Sequence, residues 1–338
     1  MKKAKRTEME RRIDILEDDI ASIHPTLLKI LLEDKTTKQN ILWCTKDYES
    51  FGPEYSEYNQ IKAELITGDF FNVIQPRAAK SKEIQERRIK KRAEVFTPSW
   101  ICNEQNNQVD DAWFGRENVF NIPKGTGWKA TKSRILFNNE GKQWTDYVDA
   151  RRLEVTCGEA PYLVSRYDTT TGDLIPVYER IGLFDRKMRV VNENCSDDDS
   201  WLKWSIRAIK SIYGYEFQGD SVLIARENLL YDYIDYYKAR FSEDPSIKQL
   251  KHVANIIAWN IWQMDGLKFV VPYSCHEIEE DYQLSLFDNV NESTEKKRPC
   301  PGCEKNNRLL HNGNYCKIFD WNGLNKSIPF ISILSEEV

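Results

Sequence analysis

The sequence predicts an α/β protein with a central sheet domain, a helical N-terminal region and a small cysteine-bearing insert. Short apolar runs of β type alternate with long helical patterns between residues 150 and 270, the pattern of a sheet covered by helices. The first 37 residues carry apolar side chains spaced by three and four, which is helical. Near the other end, Pro299-Cys300-Pro301-Gly302-Cys303 sets two thiols around a Pro-Gly turn.

Taken in order, Met9, Ile13, Leu16, Ile20 and Ile23 mark one helix. Pro25 breaks it, and Leu27, Leu28, Ile30, Leu31 and Leu32 resume the apolar face. This region reads as a helical cap that packs on the protein's own core or meets a partner. Residues 41–45 and 66–77 read as short strands. From Arg77 to Arg92, eight basic residues stand against Glu83 and Glu86, a local net of +6. A basic helix of this kind suits phosphate contact, with Arg87, Arg88, Lys90, Lys91 and Arg92 as candidate DNA-binding residues. A solvated helix face is the plainer alternative. A loop is expected at Gly125 and Gly127.

Leu153–Thr156 is a strand ending at Cys157-Gly158. Residues 168–191 read as loop and short strand, 195–200 as an acidic turn and 201–212 as a helix. Tyr213–Phe217 is a strand, followed by a long helix capped by Asp220 or Ser221. Residues 247–261 form another helix, 267–272 a buried strand and 277–299 a polar insertion. Two strand candidates, 315–321 and 328–334, close the chain. The expected divisions are 1–92, helical and mixed; 93–274, the α/β core; 275–316, the cysteine insert; and 317–338, the last strands.

Composition limits the function classes. The 338 residues are 41% hydrophobic and 30% charged, enough apolar content for a sizeable core. No apolar run approaches the ~20 residues of a membrane span. The basic first ten residues lack the apolar stretch of a secretory signal, so a cytoplasmic protein is expected. The formal net charge of −5 does not itself point to nucleic acid, yet a total can hide a local strip. Eight cysteines are too few for a disulfide scaffold; in a reducing compartment they are thiols or metal ligands. No GxxxxGK[ST] loop occurs, which argues against ATP hydrolysis.

Three features line up in the centre. Leu153–Leu163 is a strand followed by a glycine turn, where a backbone can approach a ligand closely. Ile212–Phe217 is a strand ending in Glu216, placed to accept hydrogen bonds from ribose hydroxyls. Asn260–Leu267 sets Gln263 and Asp265 beside a turn. In sheets of this class, ligands lie at the carboxyl ends of the strands. The amide-rich Trp100–Asn107 can line such a cleft, since amides read adenine edges; helix capping is the other reading.

These residues resemble the N6-adenine DNA methyltransferases of restriction–modification systems, most nearly proteins labelled restriction endonuclease subunit M. The resemblance covers residues 90–270. Phe96-Thr97-Pro98 resembles the element that precedes that fold and touches S-adenosylmethionine. Glu154, Cys157 and Gly158 resemble the cofactor loop. Tyr213–Leu230, with Ala225, Asn228 and Leu229 on its helix, is the clearest match. The resemblance implies a Rossmann-like S-adenosylmethionine-dependent sheet. It also implies a cofactor ribose on Glu216, a cofactor adenine at Asp265, and double-stranded DNA as substrate.

The sequence departs from that pattern in three places. Ala160-Pro161-Tyr162 replaces the small residues of the loop. Glu154 and Glu216 are 62 residues apart, implying an insertion around 168–200. No Asn/Asp-Pro-Pro-Tyr/Phe motif, which grips the extruded adenine in that family, occurs anywhere. Where it should fall, Cys316–Asn322 offers Asp320 and Trp321 as the candidate catalytic pair. What remains is short for a complete catalytic sheet, so a second subunit of the restriction–modification system is expected to complete the site. Three functions compete: the methyltransferase or its subunit, a catalytically silent DNA-binding or assembly module of the same build, and a restriction endonuclease component.

The cysteine insert suggests structural zinc. Four tetrahedral sulfur or nitrogen ligands are required. Cys300, Cys303 and Cys316, with Cys275 or His311, supply them; free thiols are the plainer reading.

Overall fold

The computed structural model describes residues 17–92, 97–137, 141–279 and 297–334, without the side chains of Arg87, Lys91, Arg92 and Leu334. Two helices, α1 (Glu17–Ile23) and α2 (Pro25–Leu32), open the described chain. The basic α3 (Lys82–Arg92) and the amide-rich α4 (Ser99–Phe114) follow, then a hairpin, β1 (Asn121–Lys124) and β2 (Gly127–Ala130). The central part runs α5 (Trp144–Asp149), β3 (Arg152–Glu154), α6 (Leu183–Asn194), α7 (Asp198–Lys210), β4 (Ile212–Glu216), α8 (Gly219–Phe241), α9 (Ile247–Asn260) and β5 (Ile261–Gln263). Short elements finish it: β6 (Ile278–Glu279), β7 (Lys297–Arg298), α10 (Pro301–Glu304), β8 (Lys317–Phe319), β9 (Ser327–Pro329) and α11 (Ile331–Leu334). Among the described residues, no helix is long and apolar enough to cross a membrane.

Strands β3, β4 and β5 form a parallel sheet in that order. Leu153 pairs with Tyr213, and Glu216 with Gln263. Parallel pairing needs crossovers, which α6–α7 and α8–α9 supply. Alternate side chains on a strand face opposite ways. Ile212 and Ile261 therefore join the large core under the helices. Tyr213, Tyr215 and Trp262 meet Cys316, Ile318 and Phe330, so the β8–β9 region covers the second face. At the centre of β4, a Cβ on Gly214 would lie 3.2 Å from the Cys157 sulfur and 3.1 Å from Ile261. Glycine at this position lets the loop after β3 pack onto the sheet. Among the described residues β3 pairs on one side alone, and Leu153 and Val155 remain 44% and 56% exposed.

Several local expectations are corrected. Residues 41–45 make an isolated antiparallel bridge, Leu42 with Gln60, instead of a full strand. The Trp43 and Ile61 N–H groups donate to the Asn59 and Ile41 carbonyls on one edge, and on the other Gln263 accepts from the Leu42 N–H (2.8 Å) and donates to its carbonyl (2.8 Å). The stretch 66–77 forms short 3₁₀ turns at Gly68–Phe70 and Arg77–Ala79. The expected loop narrows to the turn at Gly125 between β1 and β2, with Gly127 already paired to Lys124 in the hairpin. Residues 183–191 lie in α6, where Leu183, Phe184, Met188 and Val191 share a buried face and Asp185 accepts from the Gly182 N–H (2.9 Å). Residues 267–272 do not form the expected buried strand but fold as a turn with bridges at Asp265 and Val270, and the third sheet strand is Ile261–Gln263, at the end of the expected helix 247–261. The α8 cap is Gln218. Of the final strand candidate only Ile328 and Pro329 are extended, in β9; Ile331–Leu334 is a helical turn.

A buried guanidinium joins these layers. Arg226 of α8 donates to the carbonyls of Ile261 (2.8 Å), Ala258 (3.2 Å), Leu31 (2.5 Å) and Glu33 (3.1 Å). The carbonyls at the ends of α2 and α9 lack intrahelical donors, and the cation supplies them. Replacing Arg226 with Met should cost about 3 kcal/mol, since charge-assisted bonds are lost and buried carbonyls left orphaned. A fall in the urea midpoint with an unchanged slope is the expected readout; an unchanged midpoint refutes the role.

Candidate functional site

Glu154, Glu216 and Gln263 sit at or beside the carboxyl ends of the three parallel strands. The chain after Glu154 turns sharply, with Thr156, Gly158 and Ala160 at φ of 48°, 53° and 63°. This left-handed region costs non-glycine residues energy, so the surroundings must hold the loop. They do so from several elements. The Gly158 N–H donates to Glu216 Oε2 (3.0 Å). Glu154 accepts from the Tyr162 and Leu163 N–H groups (3.4 and 3.2 Å). Asn228 of α8 donates to the Glu159 carbonyl (3.0 Å), and Asn106 of α4 to that of Tyr162 (3.0 Å). The Glu159 carboxylate accepts from Tyr167 Oη (2.7 Å) and the Arg77 N–H (2.6 Å). Burial pushes the Glu154 carboxyl up to about 8 despite its two amide donors.

The second cluster lies in the insert. His311 Nδ1 stands 3.5, 3.6 and 3.7 Å from the sulfurs of Cys275, Cys300 and Cys303. All four donor atoms fall within 4.8 Å of one another. A tetrahedral ion with Zn–S near 2.3 Å and Zn–N near 2.0 Å separates sulfur and nitrogen by about 3.5 Å. One ring nitrogen cannot hydrogen-bond three sulfurs at once, whereas a shared metal ion satisfies all of them. The turn is compatible with such an ion. A Cβ on Gly302 would lie 2.5 Å from His311 Nδ1, so only glycine admits the ring. The Asn312 N–H donates to the Cys300 sulfur (3.2 Å). Burial raises the Cys300 thiol, but this amide, that of Cys303 and the His311 ring outweigh it and bring it to about 6.

Asp265 holds its own turn, accepting from the Leu267 (3.1 Å) and Lys268 (3.2 Å) N–H groups. With Phe217 it lines a cavity of about 620 Å³ that reaches Cys275, Cys300 and Cys303. Of the residues expected to hold a cofactor, Asp265 alone lines this space, beside three of the four residues of the cysteine–histidine cluster; Glu154, Gly158 and Glu216 are not among its lining.

Other expected site residues fall elsewhere. Cys316 is not a ligand: it is fully buried against the sheet, with its thiol directed to the Gln263 carbonyl (3.4 Å). Asp320 and Trp321 lie at the amino ends of the strands, opposite Glu216. Trp321 Nε1 donates to Asn260 (2.8 Å), the residue before β5. Asp320 pairs with Arg151 (2.9 Å) and accepts from Leu324 (2.7 Å). The length of β4, about 13 Å by strand rise, separates them from the Gly158–Glu216 contact, so neither serves chemistry there. Arg88 is not a surface cation. It is buried, bonded to Asp220 (2.8 Å), Gln218 (2.8 Å) and Asp47 (3.3 Å). Lys90 is exposed; the side chains of Arg87, Lys91 and Arg92, and all of Phe96, lie outside the described residues. The carbonyl of Thr97, beside Pro98, accepts from Thr169 (3.1 Å). Three amides of α4 are structural: Asn103 exchanges hydrogen bonds with Asn121 (2.8 and 2.7 Å), Asn107 donates to Asn121 (3.0 Å) and Asn106 to the Tyr162 carbonyl (3.0 Å); Gln105 remains exposed. Glu159 and Asn228 are the supports that site reasoning from sequence underrated; only the Asn228-Leu229 pair on the helix signalled one of them.

No family model, curated protein or solved structure matches the chain.

The purified protein is expected to carry one tightly held metal equivalent by elemental analysis. Cys300→Ser and Gly302→Ala should bring it below half an equivalent, while Cys316→Ser keeps it. The Glu154 carboxyl makes a pH-dependent contribution of definite sign. Between about 4.5, its ordinary value, and about 8, the unfolded chain has released this proton and the folded chain retains it. Stability therefore falls as pH rises through that window, by up to about 1.4 kcal/mol per unit for one group. Glu154→Gln should flatten the slope of denaturation midpoints against pH.

Proposed function

We propose that the chain is the S-adenosylmethionine-binding subunit of an N6-adenine DNA methyltransferase of a restriction–modification or phage-defence system, stiffened by structural zinc. The observation that carries the reading is the contact of the Gly158 loop with Glu216 across adjacent carboxyl-ended parallel strands. This is where α/β sheets take nucleotides. When bound, S-adenosylmethionine supplies an activated methyl group. Glu216 would accept from its ribose hydroxyls, the loop at Gly158 would face its amino-acid end, and Phe217 and Asp265 would flank its adenine. Support for the metal comes from three sulfurs and one nitrogen with no open position, a donor set suited to structural zinc.

The subunit part of the reading has its own support. The sequence lacks an Asn/Asp-Pro-Pro element. Asp320 and Trp321 stand at the wrong end of the sheet to replace it. The groups that grip the extruded adenine and take its proton are then supplied by a partner. Exposed Lys82 and Lys90 on α3 remain available for DNA phosphates.

Calorimetry of the zinc-loaded chain with S-adenosylmethionine tests the proposal. Micromolar binding is expected, weakened at least tenfold by Glu216→Ala, with no methyl transfer to unmethylated DNA by this chain alone. Absence of binding overturns the reading. Transfer by the isolated chain overturns the requirement for a partner.

A further inference from the structure

We infer that the metal cluster is a wall of the ligand pocket, so that metal loading and binding of an adenosyl ligand are linked. This rests on the cofactor reading above. The cavity between the sheet and the insert has Phe217 and Asp265 on one side and Cys275, Cys300 and Cys303 on the other. Its volume of about 620 Å³ falls within the range of small-molecule sites. Tyr58 and Tyr273 complete it as an aromatic panel. Their ring centroids are 4.6 Å apart, and Tyr273 meets Phe217 edge-on at 5.9 Å. All three rings retain exposed surface. Such rings stack on a purine, and an acid beside them, Asp265, accepts from its exocyclic amine.

The connection to the metal is covalent and short. Tyr273 stands two residues before the ligand Cys275 and takes the left-handed conformation, φ 58°. A non-glycine residue stays there only under external restraint. On one side the restraint is Ser274, which accepts from Asn314 (3.0 Å) and donates to Val271 (2.6 Å). On the other it is Cys275 itself. The four ligands come from three separated stretches, which the metal crosslinks. Tyr273 Oη also donates to Glu57 (3.3 Å), and His276 and Asn312 exchange hydrogen bonds (3.2 and 2.8 Å). Without the metal the crosslink through Cys275 is lost and these bonds alone place the ring. Coupling of this kind is reciprocal: whatever factor metal adds to ligand affinity, ligand adds to metal affinity.

Titration of S-adenosylmethionine into zinc-loaded chain, chelator-stripped chain and stripped chain given back zinc reads this directly. Circular dichroism confirms that each remains folded. Expected are binding by the loaded chain, at least tenfold weaker binding once stripped, recovery on zinc return, and slower chelation of zinc when ligand is present. Tyr273→Ala separates the pocket from the metal: it should retain one zinc equivalent yet bind at least tenfold more weakly. Equal affinity of loaded and stripped chains overturns the linkage and leaves the cofactor reading standing. Unchanged affinity in Tyr273→Ala overturns the position of the pocket. Absence of binding by the loaded chain overturns both readings.

Discussion

Arg226 holds its charge in the interior with backbone carbonyls instead of a carboxylate. Burial lowers its affinity for the proton to about 10, still well above neutral pH. The four carbonyls it satisfies belong to the ends of α2 and α9, to Glu33 and to β5. Helix C-termini carry partial negative charge, so the cation and the helix ends stabilise one another. The crossover from β4 to β5 is thereby fixed at both ends. So is Ile261, whose neighbours Trp262 and Gln263 anchor the second face of the sheet and the Leu42 segment.

A second buried charge orders the carboxyl end. Asp220, fully buried at the start of α8, is reached by Arg88 (2.8 Å), Lys80 (3.1 Å) and Tyr48 (2.8 Å). Burial opposes its charge, but the two cations hold its carboxyl far below the usual carboxylate range. The basic strip is therefore split in role. Some of its cations clamp the segment onto the core, while Lys82 and Lys90 face solvent. A count of charges along the chain could not separate the two, because the distinction is burial.

Much of the sheet was legible. The expected strands 153–156 and 213–217 overlap β3 and β4, though the chain enters both strands one residue earlier and Val155 and Thr156 already belong to the turn. The α6 segment was not legible, because Val190 and Val191 favour strands locally while the helical face is set by tertiary packing. β5 was hidden for a related reason: three residues follow the last turn of α9 without a break. In the insert, spacing identified Cys300 and Cys303, and both alternatives for the remaining ligands, Cys275 and His311, converge on them. Cys316 misled because sequence spacing does not reveal that its chain has already turned onto the sheet.

The side of β3 that is unpaired among the described residues has a further consequence. A sheet edge is a template on which any extended chain can add itself. Here the template is three residues long and ends where Thr156 enters the left-handed region, bending the backbone out of register. Such a rung offers too few main-chain groups to seed fibrous self-association. A specific neighbour settling there would have to be chosen by the side chains of Leu153 and Val155, so selectivity and resistance to aggregation come from the same brevity.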